Sequence, residues 1–353
     1  MTTQREQSCP DSVAEWEDLY GADPGATPFQ APAWIGSWCR AYAPDRVRTV
    51  AVRGGRHGGE IARVVLVPEM RRGIRVLRPA GGNLADFTDV LLDASAPDAA
   101  RALAEALVAG ADWDVLDFPE VPPDGGVHRL RYVWPGRSLV TGSSVCPELV
   151  PAAFADFLAA LPGDRRRHLA YRVRSLARAG IEDVRVTQPA AVAVSATRLL
   201  RLHDLQWAGR PMNPEHRTVA FRRHFVASAR DLAARGQAVV IDYRQAGELV
   251  ASALNLVGNN VLGGYLYGYH PRLRTGLDIG TMFTRSALEL AYELGLPRFS
   301  QLRGVEPAKL KWGPTLRSNH RVVLVHPRSL RGRSYVAAVT LRHRVAAAAH
   351  RSR

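Results

Sequence analysis

The stretch AVVIDYRQAGELVASALNLVGNNVLGGYLYGY, residues 238–269, decides the fold class. It holds three apolar runs rich in β-branched and aromatic residues, separated by turn signals at Gly247 and at Gly258-Asn259-Asn260. The pattern predicts three consecutive antiparallel strands, over 238–243, 249–257 and 261–269. Behind them, apolar residues recur on one face of a helix predicted over 281–294, which ends at Gly295 and leads to a last strand over 321–326.

The same order is predicted earlier in the chain. A helix over 32–42 precedes strands over 48–53 and 61–67, joined by a turn at 54–59, and then come strand 75–77, helix 98–109 and strand 115–118. The second half opens with a helix predicted over 164–179, capped by Asp164 and closed by Gly180, which is followed by a strand over 184–187 and by helices over 191–208 and 218–235.

These two series predict a mixed α/β (α+β) protein with two tandem domains, each a mostly antiparallel sheet flanked by helices. Proline and glycine are frequent from 119 to 142, which places the boundary in the region Pro135–Pro151. The predicted division is 1–150, 151–330 carrying the active site, and a basic tail over 331–353.

Composition agrees with a folded two-domain protein. The 353 residues are 46 % hydrophobic and 23 % charged, which excludes disordered, fibrous and coiled-coil classes. Three widely spaced cysteines and histidines without ligand spacing predict neither a disulfide scaffold nor a metal site. Nowhere is there an apolar run of about 18 residues. We therefore expect no transmembrane segment and a cytoplasmic location.

The net charge of +14 comes almost wholly from arginine, because Lys309 and Lys311 are the only lysines. This bias is typical of a high-GC bacterial genome, so it is weak evidence for nucleic-acid binding. Two arginine-rich stretches still attract polyanions: the helix over 164–179 and the segment 316–353, which has nine arginines and no Asp or Glu. A solvated helix face is the alternative interpretation of the first.

The segment Leu302–Gly313 concentrates groups that can perform chemistry. Glu306 is a candidate base toward an amine, and Lys309 is a candidate for holding a phosphate or an oxyanion. The alternative is a surface loop in which Glu306 and Lys309 pair while Trp312 fills the core.

A second candidate precedes the helix over 281–294. Arg272, Arg274, Gly280 and Thr281 lie where a glycine-bearing loop enters a helix, a place whose free N–H groups and dipole suit a pyrophosphate. The alternative is an ordinary capped helix, with Asp278 or Thr281 satisfying the backbone.

Three tyrosines, Tyr265, Tyr267 and Tyr269, alternate along one predicted strand, so their rings are expected on one face. A hydroxyl there, with Tyr267 as the candidate, can protonate a leaving group. A packed core stripe is the alternative. Motifs of serine hydrolases, P-loop and dinucleotide-binding proteins and zinc proteases are missing from the sequence.

The order of several short motifs resembles the CelD/BcsL-type acetyltransferases of the GNAT (Gcn5-related N-acetyltransferase) superfamily, which are similar to the Fem-type aminoacyl-tRNA-dependent transferases. The motifs are Phe29–Trp34, Pro79–Gly82 with Asp86–Asp89, Arg165–Gly180, Leu202–Trp207, Tyr267–Tyr269, Leu302–Gly304, Glu306, Lys309 and Trp312-Gly313. The resemblance implies two GNAT-like domains, an acetyl-CoA or other acyl-CoA co-substrate, no metal, and substrate contacts from Asp86, Trp207 and Trp312.

We therefore expect an N-acyltransferase that moves an acyl group, acetyl being the first choice, from acyl-CoA to an amine of a small molecule or sugar. An aminoacyl-tRNA-dependent amide-forming enzyme of the Fem type, with tRNA as partner, is one alternative. A non-catalytic binding protein is another. Val305 and Ala308 favour it, because the family has an acidic and an aromatic residue at these positions.

Overall fold

The computed structural model describes residues 2–7, 13–44, 46–54, 58–110 and 112–351. The tip of the predicted turn over 54–59 and the last two residues of the predicted tail lie outside this part of the chain. The elements up to the middle of the chain are β1 (Thr2–Gln7), α1 (Val13–Ala22), α2 (Pro32–Tyr42), β2 (Val47–Arg53), β3 (Glu60–Arg71), β4 (Ile74–Pro79), β5 (Leu91–Leu92), α3 (Ala99–Ala109), β6 (Val115–Val121), α4 (Gly126–Tyr132) and β7 (Ser138–Leu149).

The remaining elements are α5 (Phe154–Ala160), α6 (Gly163–Arg178), β8 (Ile181–Val186), α7 (Pro189–Trp207), α8 (Val219–Ala233), β9 (Ala238–Gln245), β10 (Glu248–Val257), β11 (Leu262–Tyr269), α9 (Ile279–Glu293), β12 (Phe299–Ser300), α10 (Pro307–Leu310), β13 (Thr315–Val325) and α11 (Leu330–Arg351). Among the described residues, no helix is both long enough and apolar enough to cross a membrane.

The chain divides into two compact units. Unit 1 comprises Met1–Cys39, Ala43–Ser144 and Ser318–Arg353, and unit 2 comprises Arg40–Tyr42 and Val145–Arg317. This division differs from the predicted one over 1–150, 151–330 and 331–353, because β13 returns to pair with β6 of unit 1. The predicted tail is mostly the helix α11, whose Tyr335 hydroxyl donates to buried Asp117 of the same unit, 2.8 Å away. The predicted boundary region, Pro135–Pro151, contains the division between the units after Ser144, and it is largely the twelve-residue strand β7.

Each unit carries a mostly antiparallel set of strands with helices against it. The strand order is β1-β2-β3-β4-β6-β13 in unit 1 and β7-β12-β11-β10-β9-β8 in unit 2. In each unit one short parallel pairing follows a helical crossover, β4 with β6 and β11 with β12. The predicted mixed α/β architecture with two similar halves is confirmed.

The helix α9 shows why these residues fold as they do. Its buried positions include Met282, Phe283, Ala287, Leu290 and Ala291, which recur with helical spacing and form part of the unit 2 core. Each large apolar side chain buried there contributes about 1.5–3 kcal/mol. Asp278 caps the first turn, and Gly295 (φ +66°) follows the last one. The predicted cap of α6 is wrong: Pro162 precedes that helix, and Asp164 pairs with Arg167 in the first turn.

Candidate active site

The strand β11 loses its neighbour on one side shortly after it begins. It pairs with β10 along its length but with β12 only at Leu262–Phe299 and Gly263–Ser300. Beyond Gly263 the described residues give β11 no paired strand on that side.

A β-bulge sets which tyrosines face this side of unit 2. The register of β10 against β11 shifts between Leu254 and Asn255, where Gly264 and Leu266 are the successive partners. Tyr265 stacks on Phe225 of α8, at a ring distance of 6.3 Å. The prediction that the three tyrosines share a face is therefore wrong for Tyr265, because the extra residue of the bulge reverses the alternation.

Tyr267 and Tyr269 point to the opposite face, toward α9. The Tyr267 ring lies 4.7 Å from that of Phe283 and 6.5 Å from that of Tyr269, and the residue is 45 % exposed. Burial, then Tyr269 and the carboxylate of Glu306 raise the pKa of the Tyr267 hydroxyl above its ordinary value. The hydroxyl is thus protonated near neutral pH and lies within electrostatic reach of Glu306.

The backbone of Tyr267 is held by His203, which is itself hydrogen-bonded to His216. His203 of α7 places Nδ1 2.9 Å from the Tyr267 carbonyl oxygen and Nε2 3.1 Å from Nδ1 of His216. A carbonyl only accepts, so Nδ1 of His203 is the donor, and Nε2 accepts from His216 Nδ1–H. Burial lowers the pKa of both rings, that of His216 to about 4. Both are therefore neutral near pH 7.

The loop after β12 is organised by Lys309. Its Nζ lies 2.8 Å from the carbonyl oxygen of Arg303, 3.2 Å from that of Gly304 and 3.5 Å from that of Leu302. Glu306 Oε2 is 3.0 Å from the same Nζ, and the Glu306 side chain is 61 % exposed. Gly304 has φ +106°, and a Cβ there would stand 2.5 Å from the folded-back Glu306 carboxylate. The ion pair of the predicted surface loop is present, and the ammonium is already engaged by backbone carbonyls.

The three residues predicted to contact substrate have different environments. Trp312 is completely buried in the core of unit 2, with its ring 5.8 Å from that of Phe157, so it fills the core and cannot contact a substrate in this structure. Trp207 is half-buried at the end of α7, with the Arg210 guanidinium 4.9 Å over its ring. Asp86 is buried in unit 1, and its backbone carbonyl accepts a hydrogen bond from Asn319, 3.2 Å away.

The first turn of α9 is capped by the carboxylate of Asp278. Asp278 Oδ1 accepts the N–H of Thr281 at 3.0 Å, and Lys311 Nζ lies 2.5 Å from both carboxylate oxygens. Burial alone would raise the pKa of Asp278, but the bonds from Lys311 and Thr281 outweigh it and hold the pKa below its usual value. A Cβ on Gly280 would stand 3.5 Å from Ala308, so α10 lies beside this helix start. The capped-helix alternative describes the structure.

Arg272 and Arg274, the two arginines predicted to hold a cofactor, bind to different parts of unit 2. Arg272 donates to Glu248, 2.8 Å away, on the exposed surface. Arg274 donates to the carbonyl oxygen of Gln206, which also accepts from Arg210. Two exposed guanidinium groups therefore meet at the last turn of α7, where they complement the negative end of the helix dipole.

Of the predicted site residues, Glu306 and Lys309 pair in unit 2, and Tyr267 lies within electrostatic reach of Glu306. Sequence reasoning missed His203, His216 and Arg210. Only the motif Leu202–Trp207 pointed to the first, and nothing in the spacing linked it to a histidine thirteen residues later. Within the described part of the chain, no group of three or more His, Cys, Asp or Glu side chains could hold a metal ion.

The mixed, mostly antiparallel sheet, with β11 and β12 paired in parallel across α9, is of the GNAT-like type. Residues 163–310 match the family model described as acetyltransferase (GNAT) domain. No curated protein matches the chain in sequence.

Solved structures share this fold at low sequence identity. FemX is 11 % identical, with a TM-score of 0.63, over 90 % of this chain and 96 % of that one. L-PGS from Bacillus licheniformis is 12 % identical, with a TM-score of 0.58, over 94 % and 96 %. The C-terminal domain of a proposed lysylphosphatidylglycerol synthetase from Agrobacterium fabrum is 13 % identical, with a TM-score of 0.55, over 93 % and 95 %. At these identities the likeness concerns the fold.

Proposed function

We propose that unit 2 is the catalytic part of an N-acyltransferase that joins an acyl group to an amine of a small molecule or sugar. The observation that carries this proposal is a tyrosine hydroxyl on β11 close enough to a carboxylate for the two to interact electrostatically. The negative charge of Glu306, whose side chain is exposed, helps to raise the pKa of the Tyr267 hydroxyl.

These two groups match the proton transfers of amide formation. The amine nitrogen attacks the acyl carbon, the new C–N bond forms, and the bond from carbon to the leaving group breaks. An exposed amine has a pKa near 10, so it arrives as an ammonium that a carboxylate attracts. Glu306 takes one proton from the ammonium and so frees the lone pair that attacks, and Tyr267 gives its proton to the leaving group. The resulting tyrosinate takes the second proton from the nitrogen as the amide forms, and Glu306 releases its proton to water.

Lys309 acts in this scheme as a positioning residue. Its ammonium donates to carbonyl oxygens of the loop, with the shortest bond of 2.8 Å to Arg303, and it fixes the Glu306 carboxylate at 3.0 Å. This role replaces the oxyanion or phosphate contact that the sequence predicted. His203 is a second positioning residue, since it holds the Tyr267 carbonyl and thereby the strand that presents the hydroxyl.

Acyl-CoA is the donor that the family resemblance implies, but the start of α9 does not fit its diphosphate. That place holds the Asp278 carboxylate, itself bound by Lys311, and two like charges at contact distance repel. We therefore derive no step through CoA. The donor supplies an activated acyl carbon with a leaving group that accepts one proton.

A second candidate is aminoacyl transfer from tRNA, as in the Fem-type enzymes. The occupied start of α9 favours it, because an aminoacyl ester needs no diphosphate there. The exposed arginines of α6, among them Arg166 and Arg174, are available to nucleic-acid phosphates. A non-catalytic protein would retain this fold without using Tyr267 or Glu306.

The test is transfer to a panel of amines, read by the mass of the product, with acetyl-CoA and aminoacyl-tRNA as alternative donors. We expect Glu306→Gln and Tyr267→Phe each to lower kcat/KM about 100-fold or more. Tyr265→Phe is the matched control, since this ring stacks on Phe225 on the other side of the strand, and should change the rate less than about twofold. Equal rates in all three variants, or transfer with neither donor, would contradict the proposal.

A further inference from the structure

An anion-binding arrangement exists at the start of α9, and the chain fills it with its own carboxylate. Lys311 Nζ lies 2.5 Å from both oxygens of Asp278, Arg172 Nε lies 4.0 Å from Oδ2, and the Thr281 N–H donates to Oδ1. The side chains of Asp278 and Lys311 are only 17 % and 21 % exposed. Two cations and the positive end of a fifteen-residue helix therefore surround one internal anion.

A phosphate could not share this place with Asp278. Its oxygens would need the same N–H groups and the same ammonium that the carboxylate holds. The Ala308 side chain, 3.5 Å from where a Gly280 Cβ would lie, limits the approach from α10. A ligand phosphate would have to displace an ion pair with two 2.5 Å contacts and leave the carboxylate facing its own negative charge.

We infer that Asp278 is a specificity-determining residue, whose carboxylate occupies the phosphate position at the start of α9 and excludes acyl donors that present a diphosphate there. This inference rests on the proposed function, because it concerns the acyl donor of that reaction. It excludes a CoA thioester anchored by its diphosphate at α9. It leaves acyl donors, aminoacyl esters among them, that reach Tyr267 and Glu306 without such an anchor.

The experiment is calorimetric titration with CoA, pantetheine and inorganic pyrophosphate at low and high salt, because high salt removes nonspecific binding to the arginine-rich surface. Native protein should show no saturable binding of CoA or pyrophosphate at high salt. Asp278→Ser should bind pyrophosphate at least tenfold more tightly than native, because serine keeps the helix cap and removes the charge. Asp183→Asn, an exposed carboxylate on β8, is the control for net charge and should behave as native.

A second substitution tests whether the tighter pyrophosphate binding occurs at the start of α9. In the Asp278→Ser protein, Lys311→Met should abolish the new pyrophosphate binding, since the freed ammonium is its main contact. Salt-resistant CoA binding to native protein that pantetheine fails to displace would overturn the inference. So would equal pyrophosphate affinities of the Asp278→Ser and Asp183→Asn proteins. These binding outcomes are independent of the transfer assay with Glu306→Gln and Tyr267→Phe, so failure of the inference and failure of the proposed function are distinguishable.

Discussion

Lys309→Met separates a structural lysine from a catalytic one. The substitution keeps the length of the side chain and removes the donors that Arg303, Gly304 and Leu302 accept. A hydrogen bond to a charged group contributes about 1.5–3 kcal/mol to stability. The bond from Lys309 to the Arg303 carbonyl, at 2.8 Å, has the length of a strong hydrogen bond, so we assign it a contribution in this range. The 3.2 Å bond contributes less, and the 3.5 Å contact lies at the limit of hydrogen-bond geometry. Because the Lys309 side chain is 21 % exposed, water replaces part of the loss. We expect a destabilisation of about 2 kcal/mol.

Native-state hydrogen exchange suits this measurement, because a chain with two units need not unfold in one step. The exchange of amides in α9 and β11 reports the free energy of opening of unit 2. Glu306→Gln is the matched control, since it breaks the same ion pair through an exposed partner and should cost less than about 1 kcal/mol. If Lys309→Met destabilised unit 2 no more than Glu306→Gln, the lysine would not hold the loop, and our account of its role would be refuted.

Three further outcomes follow from the packing. Gly268→Ala should cost about 3 kcal/mol, because its Cβ would stand 2.5–2.9 Å from backbone atoms of α7, whereas Gly142→Ala, with open space, should change urea stability by less than about 0.5 kcal/mol. Burial, and secondarily Arg40, lowers the pKa of His224 to about 3. Its unfolded pKa is near 6.5, so the unfolded state binds the extra proton and stability falls as pH drops below 6.5, by about 1.4 kcal/mol per pH unit for this histidine. His224→Gln should show a shallower pH dependence in urea titrations at pH 5 to 7, and an unchanged slope would contradict the assignment. Trp312→Ala should cost about 3–5 kcal/mol while Trp312→Phe keeps the fold, which circular dichroism and thermal melts can compare.

The order of elements was predictable because local signals agree with one another. Helix α2 begins and ends where its proline, apolar face and following residues predict, at Pro32 and Tyr42. The three strands of residues 238–269 also appear, each within a few residues of its predicted ends. What the local patterns could not show is the return of β13 to unit 1, since its partner β6 lies about two hundred residues earlier.

The predicted face of the Tyr265 side chain was wrong for a different reason. Alternation along a strand predicts side-chain faces only where the ladder is regular, and the register shift opposite Leu254 is set by how two strands pair. The glycines at 263 and 264 were the available signal, because glycine inside a strand often marks a bulge. Likewise, the bond from His203 to His216 joins a helix to the turn that follows it, and no periodicity within either element indicates it.

The chain has two lysines, and the structure uses both on its own backbone and side chains. Lys309 donates to backbone carbonyl oxygens of the loop that follows β12, and Lys311 neutralises the carboxylate that caps α9. Each therefore stabilises a feature of the loop over 302–313 and offers no unshared ammonium to a substrate. The groups left for chemistry at this edge are the hydroxyl of Tyr267 and the carboxylate of Glu306, a pair suited to moving protons rather than to holding phosphate. Under the proposed function, this protein has the proton-moving groups of acyl transfer without a free phosphate position at the start of α9, and the proposed reason is the Asp278 carboxylate.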